Sequence, residues 1–151
     1  MSDQSQAQPV DVLAFDNQVC FPLYSAANAV VRAYREPLAR LDLTYVQYMV
    51  MLILWERGET SFKHVADRTR LDSGTLTPVL KRLEGKGLIT RRRDDRDERV
   101  RLLALTPAGR ELRAQAEAVP FEVACHLGLA PEKMIALKAM CEELLDAMTT
   151  D

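Results

Sequence analysis

The stretch DNQVCFPLYSA, residues 16–26, places Cys20 four positions after Asp16 and just ahead of Pro22. Asp16 or Asn17 can cap a helix that begins here. That would set the Cys20 thiol in the first turns, where the positive end of the helix dipole favours a thiolate. The competing role is a buried cysteine acting as a small hydrophobe. The chain has three cysteines, at 20, 125 and 141. None has the CxxC or Cys/His spacing of a metal site, so no metal or cofactor is expected. Tyr34 lies fourteen residues after Cys20 on the same helical seam, about 21 Å away along a straight helix. It is out of reach of its own Cys20, but in an antiparallel dimer it can meet the partner's. Tyr45 is a second candidate. A phenol can donate a hydrogen bond to a thiolate and so favour the reactive form; both tyrosines also suit amphipathic core positions. Cys141 falls on a Met134–Leu137–Cys141–Leu144–Met148 seam and reads as core packing. His64 and His126 are isolated and read as solvated or hydrogen-bonded.

A second group of residues is charged. The formal net charge is −2, which by itself argues against nucleic acid. Between Lys81 and Arg101, however, nine Lys/Arg face five Asp/Glu, so this window is +4 and the rest of the chain −6. A basic island on an acidic body suits a local anion-binding surface. On charge alone a solvated loop is the simpler account. Just upstream, Ser73, Thr75, Thr77, Lys81 and Arg82 fall on the start and polar face of one helix, where short hydroxyls can reach phosphates or base edges in a major groove. Arg91, Arg96, Asp97 and Arg99 belong to a following hairpin that can enter the adjacent minor groove.

The elements that must position these groups are legible from periodicity and caps. Residues 1–11 are expected to be disordered. Apolar residues at helical spacing (Cys20, Leu23, Ala27, Val30, Tyr34) predict a helix over about 17–36, with a break at Glu36 before Pro37. Thr44 and Gln47 form a capping box for a helix over about 45–57, ended by Gly58. A short helix follows over about 61–69. Asp72 or Ser73 can cap the next, which buries Leu76, Leu80 and Leu83. Pro78 fits its first turn only if Thr75 is the effective cap; otherwise it costs a hydrogen bond. The runs LITRRR and RVRLLAL flank a charged turn and predict a β-hairpin over about 88–93 and 99–105. Thr106 and Pro107 open a helix to about 127, kinked near Pro120. Pro131 starts the last one.

The order helix, helix, arginine-rich hairpin predicts a winged helix-turn-helix. LDSGTLTPVLKRLEGKGLITR followed by DDRDERVRLLALTPAGR resembles the DNA-binding core of the MarR family of bacterial regulators, over about residues 13–148. The family's D-x-R motif stands here as Asp97-Glu98-Arg99, followed by Leu105-Thr106 and Gly109. The resemblance implies that Arg99 enters the minor groove and that Asp97 braces it; Arg96, at the turn, can share the role. It also implies a mainly α homodimer with interleaved N- and C-terminal helices, binding a pseudo-palindromic double-stranded operator. A single domain over 12–151 is expected, with 12–42 and 107–151 for dimerisation and 43–106 for DNA.

DNQVCFPLYSA with LDLTYVQYMVMLILWE is similar to the OhrR branch, the organic-hydroperoxide-sensing repressors. That likeness implies that Cys20 is the reactive cysteine, that the other subunit's Tyr34 and Tyr45 support it, and that Cys125 is a resolving cysteine. Val46 departs from the proline common after that tyrosine. An organic hydroperoxide would then be the inducer, and a cellular thiol would reset the switch. Two other classes compete: a regulator gated by a small aromatic or anionic ligand, and a thiol peroxidase, which lacks support because the alternating β-α pattern is missing. With no apolar leader, and a longest apolar run of eight residues against the roughly 20 of a membrane span, a cytoplasmic protein without membrane contact is expected.

Overall fold

Thr44 opens the helix around which the chain is organised. Its hydroxyl accepts the Gln47 N–H at 3.3 Å, and the Gln47 side chain accepts the Thr44 N–H at 3.1 Å. This is the reciprocal capping box expected from the sequence. The helix it starts, α3 (Tyr45–Arg57), buries Val50, Met51 and Leu54 completely. Gly58 ends it with φ +78°, a conformation that favours glycine. In the computed structural model, residues 10–149 are described, so the first nine residues of the expected disordered tail lie outside the described residues.

Ahead of α3, the chain departs from expectation in two places. A 3-10 turn at Phe15–Asn17 precedes α1 (Cys20–Ala33), whose cap position is Val19 with no side-chain cap. Neither Asp16 nor Asn17 caps it. Asn17 instead turns back and donates to the Asp11 carbonyl at 2.7 Å. The break after α1 falls at Tyr34 rather than Glu36, and α2 (Arg35–Ala39) begins at once. Pro37 sits third in α2, where a backbone N–H would have no intrahelical partner to lose. Glu36 is therefore helical.

After α3 comes β1 (Glu59–Ser61), a strand of three residues that the periodicity does not reveal. Ser61 then caps α4 (Phe62–Thr69), accepting the His64 N–H at 3.1 Å. Asp72 caps α5 (Ser73–Gly85), so Pro78 lies inside the helix and not in its first turn. The intrahelical bond to the Gly74 carbonyl is the one it forfeits. Leu76, Leu80 and Leu83 are fully buried on the inner face of α5. The hairpin follows as β2 (Ile89–Arg93) and β3 (Arg101–Leu105). With β1 they form an antiparallel sheet in the order β1-β3-β2. The wing therefore has a third strand at its root, and its central strand β3 buries Leu103 and Leu105 in the core.

Thr106 caps α6 (Pro107–Ala116) as expected, accepting the Gly109 N–H at 3.0 Å. Its own hydroxyl donates to the Gly87 carbonyl at 2.6 Å. The Trp55 indole N–H reaches the Gly109 carbonyl at 2.8 Å. A Cβ on Gly109 would lie 2.0 Å from the Leu88 carbonyl oxygen, so only glycine fits. The expected kink near Pro120 is a full break: α6 stops at Ala116 and α7 (Val119–Leu127) starts, with Pro120 in its first turn. Last comes α8 (Pro131–Ala147). It contributes nothing to the core cluster. The Met134–Met148 seam therefore faces outward, with Cys141 only half-buried. Among the described residues no helix is long and apolar enough to cross a membrane.

Gly109→Ala should cost about 3 kcal/mol or more, because the methyl group meets backbone that cannot step aside. Gly85→Ala meets nothing within 4 Å and should gain about 0.5 kcal/mol from its helical position. Urea unfolding midpoints of the two variants test the contrast.

Candidate nucleic-acid interface and cysteine positions

Helix α5 and the wing stand on either side of an open cleft of about 490 Å³ lined by Ser61, Phe62, Lys63, Ser73, Thr77, Arg99, Val100 and Arg101. Three of the residues singled out from the sequence, Ser73, Thr77 and Arg99, thus meet on one surface. Lys81 and Arg82 are exposed further along α5, and neither takes a carboxylate among the described residues. Arg96 is exposed at the wing turn, where its N–H donates to Asp94 at 2.8 Å.

Asp97 and Arg99 form a local clamp. One Asp97 oxygen accepts the Arg99 backbone N–H at 3.0 Å and its Nε–H at 3.1 Å; the other accepts from Nη2 at 3.3 Å. These bonds, the side-chain ones foremost, hold the Asp97 carboxyl below the usual carboxylate range. Arg99 nevertheless remains 91% exposed at its side chain. Its guanidinium is oriented without being covered, which suits a cation that must meet an external anion.

Two of the candidates serve the scaffold. The Thr75 hydroxyl donates to Asp72 at 3.0 Å, and the Thr75 N–H donates to the same carboxylate at 2.8 Å. As a donor, Thr75 is committed to the α5 cap. Arg91 donates through Nε to Glu84 of α5 at 2.8 Å and is mostly covered. It is a strut between helix and wing, and it holds the Glu84 carboxyl low. Lys63 was not singled out from the sequence, and Arg93 and Arg101 counted only as members of the basic island. Lys63 and Arg101 line the first cleft, and Arg93 and Arg101 a second one of about 340 Å³ beside Glu84. Only the strand register brings Arg93 and Arg101 together.

Cys20 is the first residue of α1 and is exposed. Cys125 is exposed on α7, and all three cysteines are free. Tyr34 and Tyr45 meet within the chain, with ring centroids 5.0 Å apart; Tyr48 stacks on Tyr34 at 5.8 Å. Burial first, then the neighbouring Tyr45, pushes the Tyr34 phenol up from its ordinary value, so it is a neutral O–H donor at neutral pH. The pair lines a cleft of about 280 Å³ with Arg35, Leu38 and Leu43. Cys20 and Tyr34 flank opposite ends of α1, so one chain does not bring thiol and phenols together. His64 is capped to Ser61 through its backbone, while its Nε2 is buried with no hydrogen-bond partner. Among the described residues no group of His, Cys, Asp or Glu could hold a metal ion.

Comparison with known proteins gives a consistent set. The MarR family pattern matches residues 43–100. The regulator TtmR of Methylorubrum extorquens is 45% identical over 90% of this chain and 70% of its own length. The organic hydroperoxide resistance transcriptional regulator of Bacillus subtilis is 39% identical over 93% of each chain. Among solved structures, AbfR of Staphylococcus epidermidis matches in its reduced, DNA-bound state with TM-score 0.73 and 31% identity, covering 89% of this chain and 94% of that one. The disulfide-formed state of AbfR matches less closely, at TM-score 0.62 and 32% identity over 86% and 91%.

The Asp72 cap yields a pH signature. Asp72 is held below the usual carboxylate range, chiefly by the Thr75 N–H and then by the Thr75 hydroxyl. Its folded pKa is lower than its unfolded one. The stabilisation is therefore complete above the ordinary carboxylate range and is lost as pH falls through the folded value. Asp72→Asn should flatten the acid limb of the melting-temperature curve between about pH 5 and about pH 2. Superimposable acid limbs for the two proteins would remove this assignment.

Proposed function

The chain belongs to the MarR family of DNA-binding transcriptional regulators, and we propose that it is a repressor which releases its operator when an organic hydroperoxide oxidises Cys20. The observation that carries the redox part is an exposed Cys20 at the first turn of α1, in a chain alike over nearly its whole length to a named organic hydroperoxide regulator. The greater likeness to the DNA-bound states of AbfR, reduced and overoxidised, than to its disulfide-formed state supports reading this conformation as the DNA-binding one.

In this reading two copies assemble through residues 12–42 and 107–151, while 43–106 read the DNA. The exposed apolar side chains of α1, α7 and α8, among them Leu23, Phe121, Ile135 and Leu144, support such an interface. Helix α5 enters the major groove with Ser73, Thr77, Lys81 and Arg82. The wing enters the neighbouring minor groove with Arg99, held by Asp97, and with Arg96 at the turn. Two copies on a two-fold axis match a pseudo-palindromic site.

The Cys20 thiolate attacks the terminal peroxide oxygen. An S–O bond forms, the O–O bond breaks, and the alcohol leaves with a proton. The partner's Tyr34 and Tyr45 orient and hydrogen-bond the thiolate. Cys125 of the other copy then attacks the sulfenic sulfur; an S–S bond forms and water leaves. A disulfide needs its Cα atoms within about 7 Å. Closing it pulls α1 and α7 together and changes the spacing of the two wings. Two electrons from a cellular thiol restore the reduced form.

Selection of duplexes from a random-sequence pool by the reduced protein should enrich a pseudo-palindrome. Adding cumene hydroperoxide should release that duplex from wild type but not from Cys20→Ser. Release from the serine variant would sink the sensor role and favour ligand gating. On a non-reducing gel the oxidised wild type should run as a covalent dimer and Cys125→Ser as a monomer. A Cys20–Cys141 linkage found by peptide mapping would overturn the resolving role of Cys125. Arg99→Ala should cost about 1–3 kcal/mol of binding to the selected duplex with an unchanged melting temperature. Tyr34→Phe should slow thiol oxidation, with a loss of about 1 kcal/mol or more from one hydrogen bond.

A further inference from the structure

The β2–β3 ladder pairs Arg93 directly with Arg101, and Arg91 with Leu103. Paired residues of an antiparallel ladder project from the same face, with Cβ atoms about 5 Å apart. Like charges directly opposite one another destabilise a sheet. Arg91, two residues along the same face, is neutralised by Glu84. Arg93 and Arg101 take no carboxylate among the described residues. The outer end of the ladder, next to the wing turn, therefore carries a guanidinium pair that no carboxylate among the described residues neutralises.

The position of that pair suggests what relieves it. Arg101 lines both clefts: the one shared with Ser73, Thr77 and Arg99, and the one shared with Glu84 and Arg93. The first reaches α5 at Ser73 and Thr77 and the second at Glu84 near its end, and Arg101 is common to both. A helix in a major groove and a wing in the next minor groove straddle a single sugar–phosphate strand. Both clefts lie between those two parts, on the side of α5 that faces the wing.

We infer that the two clefts together seat the phosphate strand between the two grooves, and that Arg93 and Arg101 grip it as a cross-strand phosphate clamp. This rests on the DNA-binding reading above and adds two contacts to it. The clamp reads no base, so it contributes affinity and register to any duplex rather than sequence preference.

The test uses full-length reduced protein, the duplex it selects from a random pool, and a shuffled duplex of the same composition. Each neutralised phosphate contributes about 0.9 to the slope of log affinity against log salt. Arg93→Gln and Arg101→Gln should each lower the slope by about that amount and the double variant by about twice it, on both duplexes. For the double variant, the affinity lost between about 50 and about 200 mM salt should then shrink roughly tenfold. The free double variant should melt no lower than wild type, because the substitutions remove a repulsion. Arg101→Lys should restore the slope. Unchanged slopes in variants that bind would overturn the clamp and leave the DNA-binding reading intact. A lowered melting temperature that tracks the affinity loss would overturn it in favour of a structural role. Failure of wild type to bind any duplex would remove the DNA-binding reading itself, and the clamp with it.

Discussion

The close approach of Gly109 to the Leu88 carbonyl is the contact on which the rest of the arrangement hangs. It sits where five elements converge. Gly87 and Leu88 lead from α5 into β2, Thr106 leads from β3 into α6, and Trp55 projects from α3. The Thr106 hydroxyl bonds Gly87 and caps Gly109, while Trp55 bonds the Gly109 carbonyl. A side chain at 109 would wedge these apart. The base of the wing, the start of α6 and the central helix are thus fixed relative to one another by backbone contacts, one hydroxyl and one indole. The family motif Leu-Thr-x-x-Gly acquires a physical meaning here: a cap, and the absence of a Cβ three residues later.

The candidate interface inherits its shape from that joint. Its charges divide into two kinds. Arg91 and Arg92 are spent inside the protein, on Glu84 and on Glu59. Arg99 is aligned by Asp97 yet left in solvent. Internal ion pairs brace the wing against α5 and β1, and the cations left over face outward. A net charge of −2 for the whole chain conceals this division. What matters to a polyanion is which arginines have no partner of their own.

Much of this was legible in the sequence because caps and glycines act locally. The Thr44–Gln47 box, the Thr106–Pro107 start, the end at Gly58 and the buried Leu76–Leu80–Leu83 face all follow from steps of four residues or fewer. What was not legible depends on distant partners. Strand β1 has three residues and exists because β3 offers it an edge. The Arg93–Arg101 pairing needs the ladder register. Asn17 could have capped α1, but the 3-10 turn at 15–17 sends its amide back to Asp11. The outward face of α8 carries the periodicity of a core helix, yet among the described residues α8 adds no member to the core. Periodicity reports that a face is apolar and is silent about which molecule covers it.

Pro78 gives α5 an uneven construction. Beyond it, the helix is fastened to the core by Leu80 and Leu83 and to the wing through Glu84. Before it, the Gly74 carbonyl lacks its intrahelical donor, and Gly74 itself offers no side chain to pack. The opening turn is secured by the Asp72 carboxylate on Thr75 and by the burial of Leu76. Ser73 and Thr77 flank this lightly fastened turn. The segment can therefore open as its own small unit, with amide hydrogens that exchange with solvent well before those of the leucine-anchored half. In the proposed complex, a helix built this way adjusts its first turn to the width of a groove while the body of the helix keeps its seat.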